Sequence, residues 1–102
     1  MSGLIPVKQI EAETSLLGGC LIDGLSPPVP PEDFYVGNHR LVAQTLIDMG
    51  REQVPIDLVT VGERLLGKMG MADLAGLTAT VPNAANLETY ARIVREYAAT
   101  LS

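Results

Sequence analysis

The chain has 102 residues and a formal net charge of −5, with 47% hydrophobic, 19% charged and only 4% aromatic residues. That length suits a single domain. Its seven basic residues are scattered, and affinity for phosphates needs Lys and Arg in clusters, so no direct nucleic-acid binding is expected of this segment.

Cys20 is alone, which excludes an intramolecular disulfide and a cysteine-based metal site. No basic leader precedes an apolar stretch, and no apolar run is long enough to cross a bilayer. The expectation is a cytoplasmic, soluble protein with no membrane partner. The low charge content leaves apolar surface for partner proteins.

Residues 1–8, MSGLIPVK, read as an extended arm, and residues 9–102 as a helical domain. From Ile10 the pattern is helical, with Leu16, Leu17, Cys20 and Leu21 on one face. Glu11 and Glu13 are placed in the first turn, where the helix dipole favours anions. They are two residues apart and point away from each other, so they are not a paired acid and base. Gly18 and Gly19 each cost roughly 1 kcal/mol against Ala inside a helix. They are read as a close crossing by a neighbouring helix. The helix is expected to end near Asp23 and Gly24.

LSPPVPPEDF follows, with prolines at 27, 28, 30 and 31. It reads as a stiff connector with one short turn at Pro31–Phe34. The next helix is expected over Asn38–Met49, starting at Gly37 or Asn38, facing inward through Leu41, Val42, Thr45, Leu46 and Met49, and stopped by Gly50. Asp57 is a good N-cap for a third helix with the stripe Leu58, Val61, Leu65, Met69, closed by Gly70. A short helix from Met71 or Ala72 to about Thr80 should end before Pro82.

The last helix starts at Asn86 and carries Leu87, Tyr90, Val94, Tyr97 and Leu101 at spacings averaging 3.5, the seam of a bundle. Glu88 and Arg92 are an i,i+4 pair on it. The expected fold is all-α, a compact orthogonal helical bundle of about five to six helices.

Reactive chemistry is sparse. GERLLGKM (62–69) matches most of a P-loop, but Met69 stands where Ser or Thr would hold Mg²⁺, and the segment reads as amphipathic helix with Leu65, Leu66 and Met69 in the core. His39, the sole histidine, is read as a capping or packing residue, since no nucleophile or orienting partner is evident. Cys20 lies on an apolar face and reads as a core thiol. No catalytic, cofactor or metal residue is assigned. Met49, Met69 and Met71 are core first and adaptable contact surface second. On the last helix Tyr90 and Val94 are assigned to the core, Ile93, Tyr97 and Leu101 to outward contact, and Arg92 and Arg95 to a charged rim. These five form the candidate protein interface.

Four blocks, IEAETSLLGG (10–19), DFYVGNHR (33–40), PIDLVTV (55–61) and VPNAANLETYARIVRE (81–96), occur in the order found in the N-terminal domain of DnaB-type replicative DNA helicases. The chain resembles that domain over most of its length. The resemblance implies a small helical bundle preceding a RecA-type motor. It implies a collar on a hexameric ring, self-association through following helices, and docking of primase and, in some systems, a helicase loader. ATP and Mg²⁺ would belong to the motor and not to this segment.

Two departures stand out. GLSPPVPP replaces a helix that the family usually has before its DFY block, and Asp73-Leu74 fall where the family usually carries Tyr-Leu, so an aromatic that could serve a primase surface is absent. Such trimming fits a divergent or phage-encoded helicase. The rival readings are a stand-alone helicase-binding regulator and the helicase-binding domain of a primase.

Overall fold

From Ala12 to Leu21 every residue except Thr14 is buried. At 100° per residue such a run covers the whole circumference, so this helix is enclosed on all sides and the rest of the chain folds around it. The computed structural model describes residues 7–79 and 86–101, the side chains of Val7 and Leu101 excepted. Among these residues it holds five α-helices: α1 (Val7–Asp23), α2 (Gly37–Glu52), α3 (Leu58–Arg64), α4 (Met71–Ala79) and α5 (Leu87–Leu101), with a 3-10 turn at Pro31–Asp33. No strand occurs among the described residues. The central α1 packs mainly on α5 and α4 and less on α2, while α3 bridges α2 and α4. The radius of gyration, 12.8 Å, is that of a compact chain of this length.

The core is aliphatic, as the composition requires. Leu16, Leu17 and Cys20 of α1 share the core with Val42, Leu46 and Met49 of α2, Val61 of α3 and Leu65 just after it, Leu74 and Leu77 of α4, and Ala91 and Val94 of α5. Phe34, the one phenylalanine, is fully buried just after the 3-10 turn. Gly18 and Gly19 are both buried in α1. Within the connector Pro27 and Val29 turn inward while Pro28 and Pro30 stay exposed.

Several expected boundaries move, each for a local reason. The first helix includes Val7 and Lys8 and so starts three residues before Ile10. This places Glu11 and Glu13 beyond its first turn. Residues 1–6 of the expected arm lie outside the described residues, as do Thr80 to Ala85. The second helix does not stop at Gly50. It runs on to Glu52 and closes at Gln53, whose φ of 60° is left-handed. Gly50 instead permits close approach of the connector, since a Cβ there would stand 2.6 Å from Ser26 Oγ.

The third helix ends at Arg64, five residues short of Met69. A turn follows, with Gly67 at φ 84° and the Lys68 amide donating to the Leu65 carbonyl at 2.8 Å. Leu66 is thereby 81% exposed and not a core residue, whereas Leu65 is buried as expected. Asp57 caps α3 as anticipated and forms a full capping box: its carboxylate accepts the Thr60 amide at 2.8 Å, and Thr60 Oγ1 accepts the Asp57 amide at 3.0 Å.

Candidate interaction surface

A buried polar cluster joins α1 to the start of α2. Glu13 is fully buried in α1. Its Oε2 accepts the Tyr35 amide at 2.7 Å and Gln9 Nε2 at 3.3 Å. Its Oε1 accepts the Val36 amide at 3.4 Å and meets His39 Nδ1 at 2.7 Å. A carboxylate only accepts, so Nδ1 carries the proton.

Val36 is the N-cap of α2 and has no side-chain cap of its own. Glu13 supplies one from another helix, placing negative charge at the positive end of the α2 dipole. The dipole that holds Glu13 is thus that of α2, not of α1 as the sequence led us to expect. Arg40 completes the junction by donating from Nε to the Phe34 carbonyl.

This cluster does not resemble a reaction centre. The hydrogen bonds of Glu13 run to two backbone amides, one side-chain amide and one imidazole, and the Glu13, Gln9 and His39 side chains are buried. Cys20 is likewise buried, and burial, reinforced by the charge of Asp23, pushes its thiol from the ordinary 9.0 up to about 12. It is a packing thiol and not a nucleophile. Among the described residues no group of three His, Cys, Asp or Glu side chains could hold a metal ion. GERLLGKM begins within α3 and ends in the following turn, without the strand that precedes a P-loop. No helix among the described residues is long and apolar enough to cross a membrane.

What faces outward is the side of α5 that does not reach the core. Val94 and Ala91 are fully buried, and Leu87, Tyr90 and Ile93 are half-buried and packed on the core. Ile93 therefore contributes to packing as well as presenting an edge. Tyr97 is half-buried one turn further on, and Leu101 lies in the last turn, its side chain outside the described residues. Arg92 reaches forward to Glu96 at 3.2 Å and not back to Glu88. Arg95 donates to the Pro28 carbonyl at 3.2 Å, tying α5 to the connector.

Two grooves flank this helix. One, of about 530 Å³, lies between Ile10, Thr14 and Ser15 of α1 and Tyr90 and Ile93 of α5. The other is lined by Arg92, Ile93, Glu96, Tyr97 and Thr100. Lys8 and Ile93 belong to both, so the two are continuous along α5. Lys8 reaches this groove because α1 begins at Val7, before the helical pattern evident from Ile10.

Residues 5–96 match the family described as DnaB-like helicase N terminal domain. The chain belongs to that family. It is 37% identical over 107 residues to the replicative DNA helicase DnaB of Pasteurella multocida, covering 94% of this chain and 23% of that protein. Against the same helicase of Haemophilus influenzae it is 39% identical over 105 residues, covering 92% of this chain and 22% of the relative. The chain thus spans less than a quarter of the length of these relatives.

The fold is similar to the N-terminal domain of DnaB helicase from Mycobacterium tuberculosis, with a TM-score of 0.76 at 34% identity over 89% of this chain and 74% of that one. It is also similar to a DnaB-like replicative helicase whose structure is described with its interactions with primase, with a TM-score of 0.82 at 25% identity over 90% of this chain and 24% of that one.

Membership gives the blocks a physical meaning. IEAETSLLGG and DFYVGNHR carry the two halves of the Glu13 junction, and PIDLVTV carries the capping box of α3. These motifs specify how the helices sit, not a reaction.

Proposed function

We propose that this chain is the non-catalytic N-terminal assembly and docking domain of a hexameric replicative DNA helicase, working in the cytoplasm in DNA replication. In this reading it contributes to the collar of the ring and docks primase and the helicase loader. ATP and Mg²⁺ are handled by a motor domain outside this segment. The observation that carries the reading is the match of fold and sequence to a DnaB-like replicative helicase described with its interactions with primase. The character of the molecule supports it: buried polar groups join helix to helix, while half-buried apolar side chains and paired charges line the outer side of α5. Arg92, Ile93, Arg95, Tyr97 and Leu101 are the interface residues of this proposal.

The test is titration of the chain with the helicase-binding domain of a primase, followed by isothermal calorimetry, beside sedimentation of the chain alone. Tyr97→Ala should weaken association about tenfold or more, the usual scale for an aromatic interface anchor, and leave the thermal melt unchanged. Absence of primase and loader binding at 100 µM (on the order of the weakest specific docking), together with measurable binding of Mg·ATP by the chain, would overturn the proposal.

A further inference from the structure

We propose that the pocket where α1, the 3-10 turn, the start of α2 and the C-terminal half of α5 meet captures the free C-terminal end of a polypeptide, with the terminal carboxylate on Arg40 and Arg95 and the last amide N–H on Gln9 Oε1. The pocket shares Arg95 with the docking face proposed above and draws on nothing else in that reading.

The observation that carries the proposal is an acceptor without a donor. Gln9 lines the pocket and is only 1% exposed. Its Nε2 donates to Glu13 Oε2 at 3.3 Å. A carboxylate only accepts, so the Gln9 amide cannot be turned round, and Oε1 is the atom left over. Oε1 is buried and has no hydrogen-bond partner among the described residues. Buried acceptors are nearly always paired, so this one marks a position for an incoming donor.

Two guanidinium groups share the same pocket. Arg40 gives its Nε to the Phe34 carbonyl, and Arg95 gives one Nη to the Pro28 carbonyl. Each is thereby held by backbone, and neither is ion-paired to a carboxylate among the described residues. The rest of each planar fork suits a carboxylate. The pocket has a volume of about 470 Å³, within the ~300–1,000 Å³ of pockets that hold small ligands.

Charge and burial select the ligand. Glu32 and Asp33 also line the pocket, so two positive side chains are matched by two negative ones. That balance disfavours a phosphate, which carries about two negative charges, and accommodates a single one. A free amino acid would set a full ammonium charge against the buried, neutral Gln9 Oε1, and stripping water from a charge costs far more than stripping it from an amide. A peptide end carries one carboxylate and, one carbon away, a neutral N–H. Tyr35, 46% exposed, and the small Ala98 and Ala99 offer a wall for an apolar last side chain. Glu32 and Asp33 favour a basic residue upstream of it.

The experiment is an NMR titration of the full 102-residue chain, labelled with nitrogen-15, with N-acetylated tetrapeptides of lysine, two glycines and a final leucine, valine or phenylalanine. The expected result is saturable shifts of the Tyr35, Ala98 and Ala99 amides and of the Gln9, Arg40 and Arg95 side-chain N–H signals, with a Kd of about 1 mM or below. Replacing the terminal carboxylate by a carboxamide should weaken binding at least about tenfold, and replacing the last amide by an ester should weaken it about tenfold. Arg95→Ala should weaken binding about tenfold and melt as the parent does, since the side chain is exposed. Gln9→Met keeps the bulk and removes the acceptor, so amide and ester peptides should bind it equally. If that variant fails to fold because Glu13 has lost a donor, the same two peptides on the parent still decide the point.

No shift at about 5 mM of any of these peptides, above the Kd expected, overturns the proposal. Carboxamides that bind as tightly as the acids overturn it too, because the end of the chain is then not what is read. Acetate or inorganic phosphate equalling the peptides in affinity would show an anion site indifferent to the N–H, and the proposal falls. None of these outcomes bears on the uptake of primase, which is titrated separately.

Discussion

Replacing Glu13 by Ala should be among the most damaging single changes in the molecule. The side chain is fully buried and serves four donors, two of them backbone amides at the start of α2. Its removal leaves the Tyr35 and Val36 amides and His39 Nδ1 without their acceptor. Removing one side of a buried charged cluster costs about 3–5 kcal/mol. A domain of this size is stable by about 5–15 kcal/mol in total, so the variant should be marginal at 37 °C. At about 4–8 °C per kcal/mol, the melting temperature should fall by at least about 12 °C.

Glu13→Gln is the sharper probe, because it keeps the shape and one acceptor but turns an amide nitrogen toward a donor. It should cost about 1.5–3 kcal/mol. Urea titration followed by circular dichroism gives both values. Native-state hydrogen exchange adds local information: in Glu13→Gln the Tyr35 and Val36 amides should lose protection while α5 amides keep theirs. A cycle with His39→Ala should return a coupling of at least about 1 kcal/mol. If Glu13→Ala is within about 1 kcal/mol of the parent and the cycle is additive, the carboxylate does not cap α2 and this account of the junction is wrong.

Cys20 offers a pH test. Burial holds its thiol at about 12 in the folded chain against an ordinary 9.0. The folded state keeps its proton while the unfolded chain loses it, so this contribution to stability is intact below about pH 9 and is lost as pH rises toward 12. Between pH 8 and pH 10 the parent should lose about 1.4 kcal/mol more than Cys20→Ala, read from urea midpoints, and equal losses would refute it. Asp57→Ala opens the capping box of α3 and should cost about 1 kcal/mol in the same assay, with no loss counting against the box. Two glycines should respond with opposite signs. Gly67→Ala forces a Cβ onto φ 84° and should destabilise by about 1–2 kcal/mol, whereas Gly76→Ala in α4 meets open space and should stabilise by about 0.5–1 kcal/mol. Equal signs would contradict the backbone assignment.

The helices were legible where one face is apolar and the other is not. Val42, Thr45, Leu46 and Met49 on α2 and Leu16, Leu17, Cys20 and Leu21 on α1 are buried as their spacing requires. Proline and the Asp57 cap marked the connector and the start of α3, because they act on the backbone locally. Glycine was less dependable. Gly50 looked like a helix stop, yet Gln53 takes the left-handed position while Gly50 makes room for Ser26. The third helix stops at Arg64, before Gly67 takes its positive φ and well short of Gly70, so the stripe does not extend to Leu66, which is exposed. Periodicity holds only while the helix lasts, and a glycine's reason can lie in a segment distant in sequence.

The Glu13 junction was hidden for a related reason, although its signal was present. Residues 13, 16, 17 and 20 share one helical face, and so do 39, 42, 46 and 49. An acid and the sole histidine therefore sat on apolar faces of two different helices, where each needs a partner once buried. Read separately, each found a bland explanation in its own helix. Only their joint burial demands the pair, and that demand also explains why the second helix can follow Val36, an N-cap with no capping side chain of its own. The outer face of α5 is the reverse case. Its seam was plain in the sequence, but a seam does not say which of its edges the bundle uses. Packing takes Ala91 and Val94 completely and part of Ile93, and the free charges beside the remaining groove, Lys8 and Glu11, belong to α1. A surface assembled from two helices distant in the chain becomes visible only when the bundle has closed, because neither helix alone carries both its apolar floor and its charged rim.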